Sequence, residues 1–266
     1  MSVTFFISEL LLFARKQANA SLFGALFLAF IILTVYVDLP WFHRYDYLFV
    51  YAVVIQILLI AFKLETRREL AVIFLFHIVA TIMEIYKTSD AIGSWHYPGS
   101  AYFMLWQVPL FAGFMYSAVG SYIARAWKLM QLEFSNYPPL IYTYLLAAGI
   151  YVNFFTHHFI FDFRYLLAAA TIVIFWRTRV YFTLHKVWNM SLVLGFLLIA
   201  FFIWIAENIA TFTDVWLYPN QQAGWVIVSP DKLGAWFLLV IVSFALVSIL
   251  YRHTIRSIEF TGTQSS

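Results

Sequence analysis

Not one cysteine occurs in this 266-residue chain. Disulfides, thiolate nucleophiles, Cys-ligated zinc and iron–sulfur clusters are thereby excluded. Charge is scarce too: Asp, Glu, Lys and Arg make up 11% of the residues, against about 25% in an ordinary globular domain. With 64% hydrophobic residues, that scarcity excludes a soluble domain and points to a polytopic membrane protein. There is no basic run. The 16 Lys and Arg are scattered between apolar segments, so a sequence pI near 9.0 implies no nucleic-acid partner. No cleavable leader is evident, since 3–18 carries Glu9, Arg15 and Lys16 and lacks a small-residue cleavage site. Residues 1–19, with the core VTFFISELLLFARKQ, read instead as an amphipathic helix lying in the membrane interface.

A bilayer core takes about 20 apolar residues per helix. On that basis the sequence predicts an all-α fold of about eight spans, at 20–39, 45–63, 69–87, 103–126, 138–158, 165–181, 190–212 and 232–251. An even count puts both termini on one side. Arg15, Lys16, Lys63, Arg67, Arg68, Arg125, Lys128, Arg177, Arg179, Lys186, Arg252 and Arg256 fall on that side, and only Arg44, Lys87, Arg164 and Lys232 on the other. The bias makes the termini, including a tail at 253–266, cytoplasmic.

Two segments repeat a pattern. GSWHYP (93–98) and VWLYP (215–219) each hold Trp-x-Tyr-Pro a short way after a glutamate set in an apolar stretch, Glu84 and Glu207. Spans three and four thus correspond to seven and eight. The chain reads as two parallel four-helix halves, 20–128 and 129–252, related by an axis along the membrane normal.

Ionisable groups inside a membrane are costly and usually face a bundle interior or cavity. His77 and Glu84 share one face of span three, with Thr81 between them. Asn153, His157, His158 and Asp162 lie at the end of span five, and Glu207 and Asn208 in span seven. Lys87, three residues after Glu84, offers a plain helical ion pair with it. The lead expectation is an outward-facing pocket in an enzyme acting on a lipid or isoprenoid. Glu84 and Glu207 would serve as acid and base, because a desolvated carboxylic acid stays protonated at neutral pH. His157 assists; His77, Asn153 and Asn208 contact substrate; Trp95, Tyr97, Trp216 and Tyr218 wall the entrance. A second reading makes His157, His158 and Asp162 ligands for zinc or iron. A third makes the glutamates proton or cation sites of a transporter. Membrane lipid and an apolar small molecule are the expected partners.

GSWHYP, VPLFAGFMYSAVGSYIARAW (108–127), NFFTHHFIFDFR (153–164), WIAENIATF (204–212) and WLYPNQ (216–221) together resemble a bacterial integral-membrane family. It is catalogued as domain of unknown function 817. The resemblance covers about residues 45 to 252 and implies a multi-spanning protein of the bacterial inner membrane. Glu84, Gly93, Trp95, Tyr97, Val108, Pro109 and Leu110 are also similar to the pattern of membrane carotenoid-synthesis proteins, hydratases and lycopene cyclases among them. That likeness implies an isoprenoid substrate.

Overall fold

A computed structural model describes residues 2–37, 40–252 and 254–255; the rest of the expected tail lies outside the described residues. The chain is mostly helical: α1 (Val3–Ala20), α2 (Leu22–Tyr36), α3 (Arg44–Ala61), α4 (Arg67–Thr88), α5 (Ala112–Met130), α6 (Leu140–Thr156), α7 (Arg164–Phe175), α8 (Leu192–Phe212) and α9 (Asp231–Tyr251). A helix stands at each of the eight expected places. Among the described residues only α3, α4, α8 and α9 are long and apolar enough to cross a membrane, with a fifth span if α1 and α2 count as one. Length and composition therefore support four or five spans and do not extend to eight. At 17 and 12 residues, α6 and α7 rise about 25 and 18 Å, short of a hydrocarbon core of about 30 Å. The apolar run of α5 is diluted by Ser117, Ser121, Arg125 and Lys128.

Helix α1 meets α2 at 71° across Ser21, so it lies much nearer the membrane plane wherever α2 crosses. Val3, Phe6, Ile7, Leu10 and Leu11 are exposed along it, while Glu9 is buried. Glu9 is held by the His185 backbone N–H and Nδ1 and by Trp188 Nε1. Those partners belong to a β-hairpin that the all-α expectation lacks, His185 in its turn and Trp188 in its second strand. Glu133–Ser135 (β3), Arg179–Thr183 (β4) and Val187–Ser191 (β5) form an antiparallel sheet in which Val180 faces both Phe134 and Met190. RVYFT and VWNMS are rich in β-branched and aromatic residues, which favour a half-buried pleated surface. The sheet takes the end of the expected sixth span. Met104–Leu105 (β1) and Val108–Pro109 (β2) make a minimal hairpin before α5.

The helices pack in consecutive pairs, α2 on α3, α4 on α5, α6 on α7 and α8 on α9, with α5 and α9 in contact. A capping box starts α4: Thr66 Oγ1 accepts from the Glu69 N–H, and Glu69 Oε2 accepts from the Thr66 N–H. Where α4 meets α5, a Cβ on Gly113 would come within 2.3 Å of His77 Nδ1 and 2.6 Å of Thr81 Oγ1. Gly113→Ala is expected to cost about 1–3 kcal/mol by overpacking. Thermal unfolding in detergent checks this against Gly234→Ala, where the new methyl meets nothing within 4 Å.

A paired glutamate centre

The two Trp-x-Tyr-Pro segments touch. His96 and Leu217, the variable residue of each, exchange both backbone hydrogen bonds, at 3.0 and 2.9 Å. An antiparallel pair that exchanges both bonds is closely spaced, so each motif fixes the height of the other. Tyr45 of α3 ties the junction down, donating to the Val215 carbonyl at 2.8 Å and accepting from the Gly99 N–H at 3.1 Å.

Each motif then reaches back to its own glutamate. Glu84, near the end of α4 and 1% exposed, accepts from Trp95 Nε1 (2.9 Å) and the Tyr97 hydroxyl (2.7 Å) on Oε2, and from the Tyr116 hydroxyl (2.6 Å) on Oε1. Glu207, near the end of α8 and 3% exposed, accepts from the Tyr218 hydroxyl (2.6 Å) on Oε1 and from Trp236 Nε1 (2.7 Å) on Oε2. Each carboxylate thus takes a tyrosine from its own motif and an aromatic donor from the first turns of the following helix. The two sets touch, Trp95 edge on to Tyr218 and Tyr116 tilted against Trp236. The Trp95 and Tyr218 rings lie 6.3 Å apart, and Tyr116 and Trp236 lie 6.1 Å apart. Burial, and then the facing carboxylate, push the Tyr97 and Tyr218 hydroxyls well above the ordinary tyrosine range. Both phenols therefore stay protonated and act as donors.

The surroundings of the two carboxylates differ. A cleft of about 740 Å³ runs the length of the bundle between α1–α2, α5 and α8, from Phe13 and Phe182 at one end to Glu207 and Trp216 at the other. Among the described residues Glu207 is the one carboxylate in its wall, and Gln17, Ser21 and Tyr122 are among its few polar neighbours there. Glu84 lines neither this cleft nor a smaller one of about 300 Å³ beside Tyr97 and His96.

The remaining expected residues go elsewhere. Trp216 lines the cleft without bonding either glutamate. His77 sits against Gly113 and the Phe114 ring, two turns from Glu84, and its Nδ1 makes no hydrogen bond of good geometry. Asn208 bonds the Trp204 carbonyl and the Val228 N–H, bracing the loop before α9. Asn153 bonds Asp162 and the Phe163 N–H, which closes the α6–α7 turn. His157 and His158 meet Lys87 and no glutamate, and Lys87 does not form the anticipated ion pair with Glu84. Asp162 pairs with Arg164 at 2.9 Å. Among the described residues no group of three or more His, Asp or Glu is placed to hold a metal; an ammonium stands where His157 and His158 would present one.

Sequence reasoning missed Tyr116 and Trp236. Their signal was positional: 32 and 29 residues after Glu84 and Glu207, each is a hydrogen-bonding aromatic early in the next helix.

The model of a family described as "Protein of unknown function (DUF817)" matches residues 9–244, and the chain belongs to that family. An uncharacterised protein of Bacillus subtilis (strain 168), YoaT, is 43% identical over 245 residues, 92% of each chain. No solved structure matches. The likeness to carotenoid-synthesis proteins is unsupported.

Proposed function

We propose that this member of the DUF817 family is a membrane enzyme that holds one long apolar molecule, of the isoprenoid or acyl-lipid class, and moves protons on it through Glu207. One observation carries the reading: Glu207 is the single carboxylate in the wall of a cleft of about 740 Å³ that is otherwise almost wholly apolar. Ligand sites of about 300–1,000 Å³ with an apolar lining and a few placed polar groups are the usual form. In the simplest balanced reaction Glu207 gives its proton to one carbon of a double bond and removes a proton from a neighbouring carbon. The double bond shifts and the acid is regenerated. Positive charge developing between these steps faces Trp216 and Trp236, whose rings attract cations. The Tyr218 hydroxyl and Trp236 N–H hold the carboxylate in place throughout.

The same reading separates the glutamates. Glu84 carries the same kind of donors but lines neither of the two clefts, and it acts as a brace. The likeness of the two centres, and the His96–Leu217 bridge between them, support two parallel halves with α2–α5 corresponding to α6–α9. It also supports reading all eight helices as spans of an inner-membrane protein whose termini, on the distribution of Lys and Arg, are cytoplasmic.

The test is isotopic. Purified protein incubated in D₂O with a bacterial lipid extract should place deuterium in one apolar component, read by mass spectrometry. If no component gains deuterium beyond a protein-free control, proton transfer at Glu207 is wrong.

A further inference from the structure

The four cations at the motif end of the bundle are not spent alike. Arg44 is used up on the Ile31 and Thr213 carbonyls and the Thr34 hydroxyl. The other three gather where the end of α4, the end of α6 and the start of α9 adjoin.

Lys87, in the last turn of α4, is 5% exposed. Its ammonium has three donors. One reaches His158 Nε2 at 2.8 Å and another His157 Nε2 at 3.3 Å. His157 Nδ1 lies 2.8 Å from the Asn153 carbonyl, which only accepts, so Nδ1 carries the proton and Nε2 offers its lone pair to the lysine. The imidazoles thus solvate Lys87 without cancelling its charge. The third N–H is unused, and among the described residues no carboxylate stands within ion-pair distance of Lys87. Glu84 is turned away to its three aromatic donors.

Met83 of α4, Phe154 of α6 and Trp236 of α9 pack in one cluster, and Lys87, His157 and Lys232 lie one turn beyond them at that end of the three helices. Arg164 is matched by Asp162. Lys232, in the first turn of α9, lies 4.2 Å over the Tyr218 ring, and among the described residues no carboxylate stands within ion-pair distance of it. Two ammonium groups, one of them buried, therefore stand at the same end of these packed helices, and among the described residues no carboxylate is bound to either. A buried cation left without an anion is costly, and the deficit defines a ligand.

We propose that the junction of α4, α6 and α9 binds an oxyanion of the phosphate class, held by the free N–H of Lys87 and by Lys232. Phosphate suits it because one group offers several acceptor oxygens and enough charge for two ammoniums. The same chemistry is carried by a phospholipid headgroup and by free phosphate, and two probes tell them apart.

The experiment uses the full chain in neutral detergent. One arm titrates inorganic phosphate and reads the thermal midpoint. The other adds phosphatidylglycerol or phosphatidylcholine and counts retained lipids by native mass spectrometry. At least one probe is expected to bind saturably, with phosphatidylglycerol favoured over phosphatidylcholine in the lipid arm. Lys87→Met and Lys232→Gln should each weaken that binding by about tenfold or more, while Arg68→Gln, at the opposite end of α4, leaves it unchanged. A response to phosphate alone identifies a free anion; retention of phosphatidylglycerol with silence to phosphate identifies a headgroup. The site is rejected if neither probe binds, or if both lysine variants bind like the wild type. Should Lys87→Met not fold, Lys232→Gln decides, since that side chain is only half-buried.

Discussion

Glu84→Ala is expected to yield protein that does not survive purification as a folded monodisperse species. The substitution strands Trp95 Nε1 and the hydroxyls of Tyr97 and Tyr116 around an empty space. A buried donor deprived of its acceptor costs about 1–3 kcal/mol. Three together rival the whole stability of an ordinary domain, about 5–15 kcal/mol. The loss also propagates, because Trp95 and Tyr97 flank His96, whose bridge to Leu217 positions the second motif and hence Tyr218 on Glu207. Tyr116→Phe removes one donor and leaves Glu84 two, so it should cost only about 0.5–1.5 kcal/mol beyond any change in packing. Size-exclusion profiles and thermal midpoints in detergent check the order wild type, Tyr116→Phe, Glu84→Ala. An alanine variant as stable as the wild type contradicts a bracing role for Glu84.

Glu207→Gln should behave in the opposite way. The amide carbonyl still accepts one bond, the Tyr218 hydroxyl can turn to accept from the amide nitrogen, and side-chain volume is unchanged. The fold and the cleft are therefore retained. Glutamine cannot exchange a proton, so deuterium incorporation should fall by about 10²–10⁴-fold, the contribution typical of general acid–base catalysis. A stable Glu207→Gln protein beside a collapsed Glu84→Ala protein would separate the two glutamates by function as the cleft separates them by surroundings. Undiminished exchange in Glu207→Gln removes this residue from the chemistry.

Much of this was legible in the residues. The periodic apolar segments located every helix from α2 to α9, and the repeated Glu…Trp-x-Tyr-Pro pattern picked out the carboxylates and their tyrosines. What escaped has physical reasons. The hairpin 179–191 was missed, its two ends falling in the sixth and seventh expected spans and the rest between them, because a short apolar run rich in aromatics does not declare its period. The count of about eight spans exceeds the four or five that length and composition support, in part because α6 and α7 are apolar but short. His157 and His158 looked like ligands since their type and exposure fit a metal, and only the fold places the Lys87 ammonium between them. Glu65 drew no notice beside the basic pair Arg67 and Arg68, yet it is buried and bonded to Gln56 at 2.6 Å and to Ser121. Depth in the bundle is a tertiary property, and neighbours along the chain do not report it.

The proposed function requires the cleft between α1–α2, α5 and α8 to hold one apolar molecule against Glu207. Native mass spectrometry of the detergent-purified chain tests it most directly, with wild type and the cleft-filling variant Ala118→Phe side by side. One retained molecule of defined mass per wild-type chain, lost from Ala118→Phe while that variant stays folded, is the predicted result. No retained molecule in the wild type, or equal retention in both proteins, would contradict it.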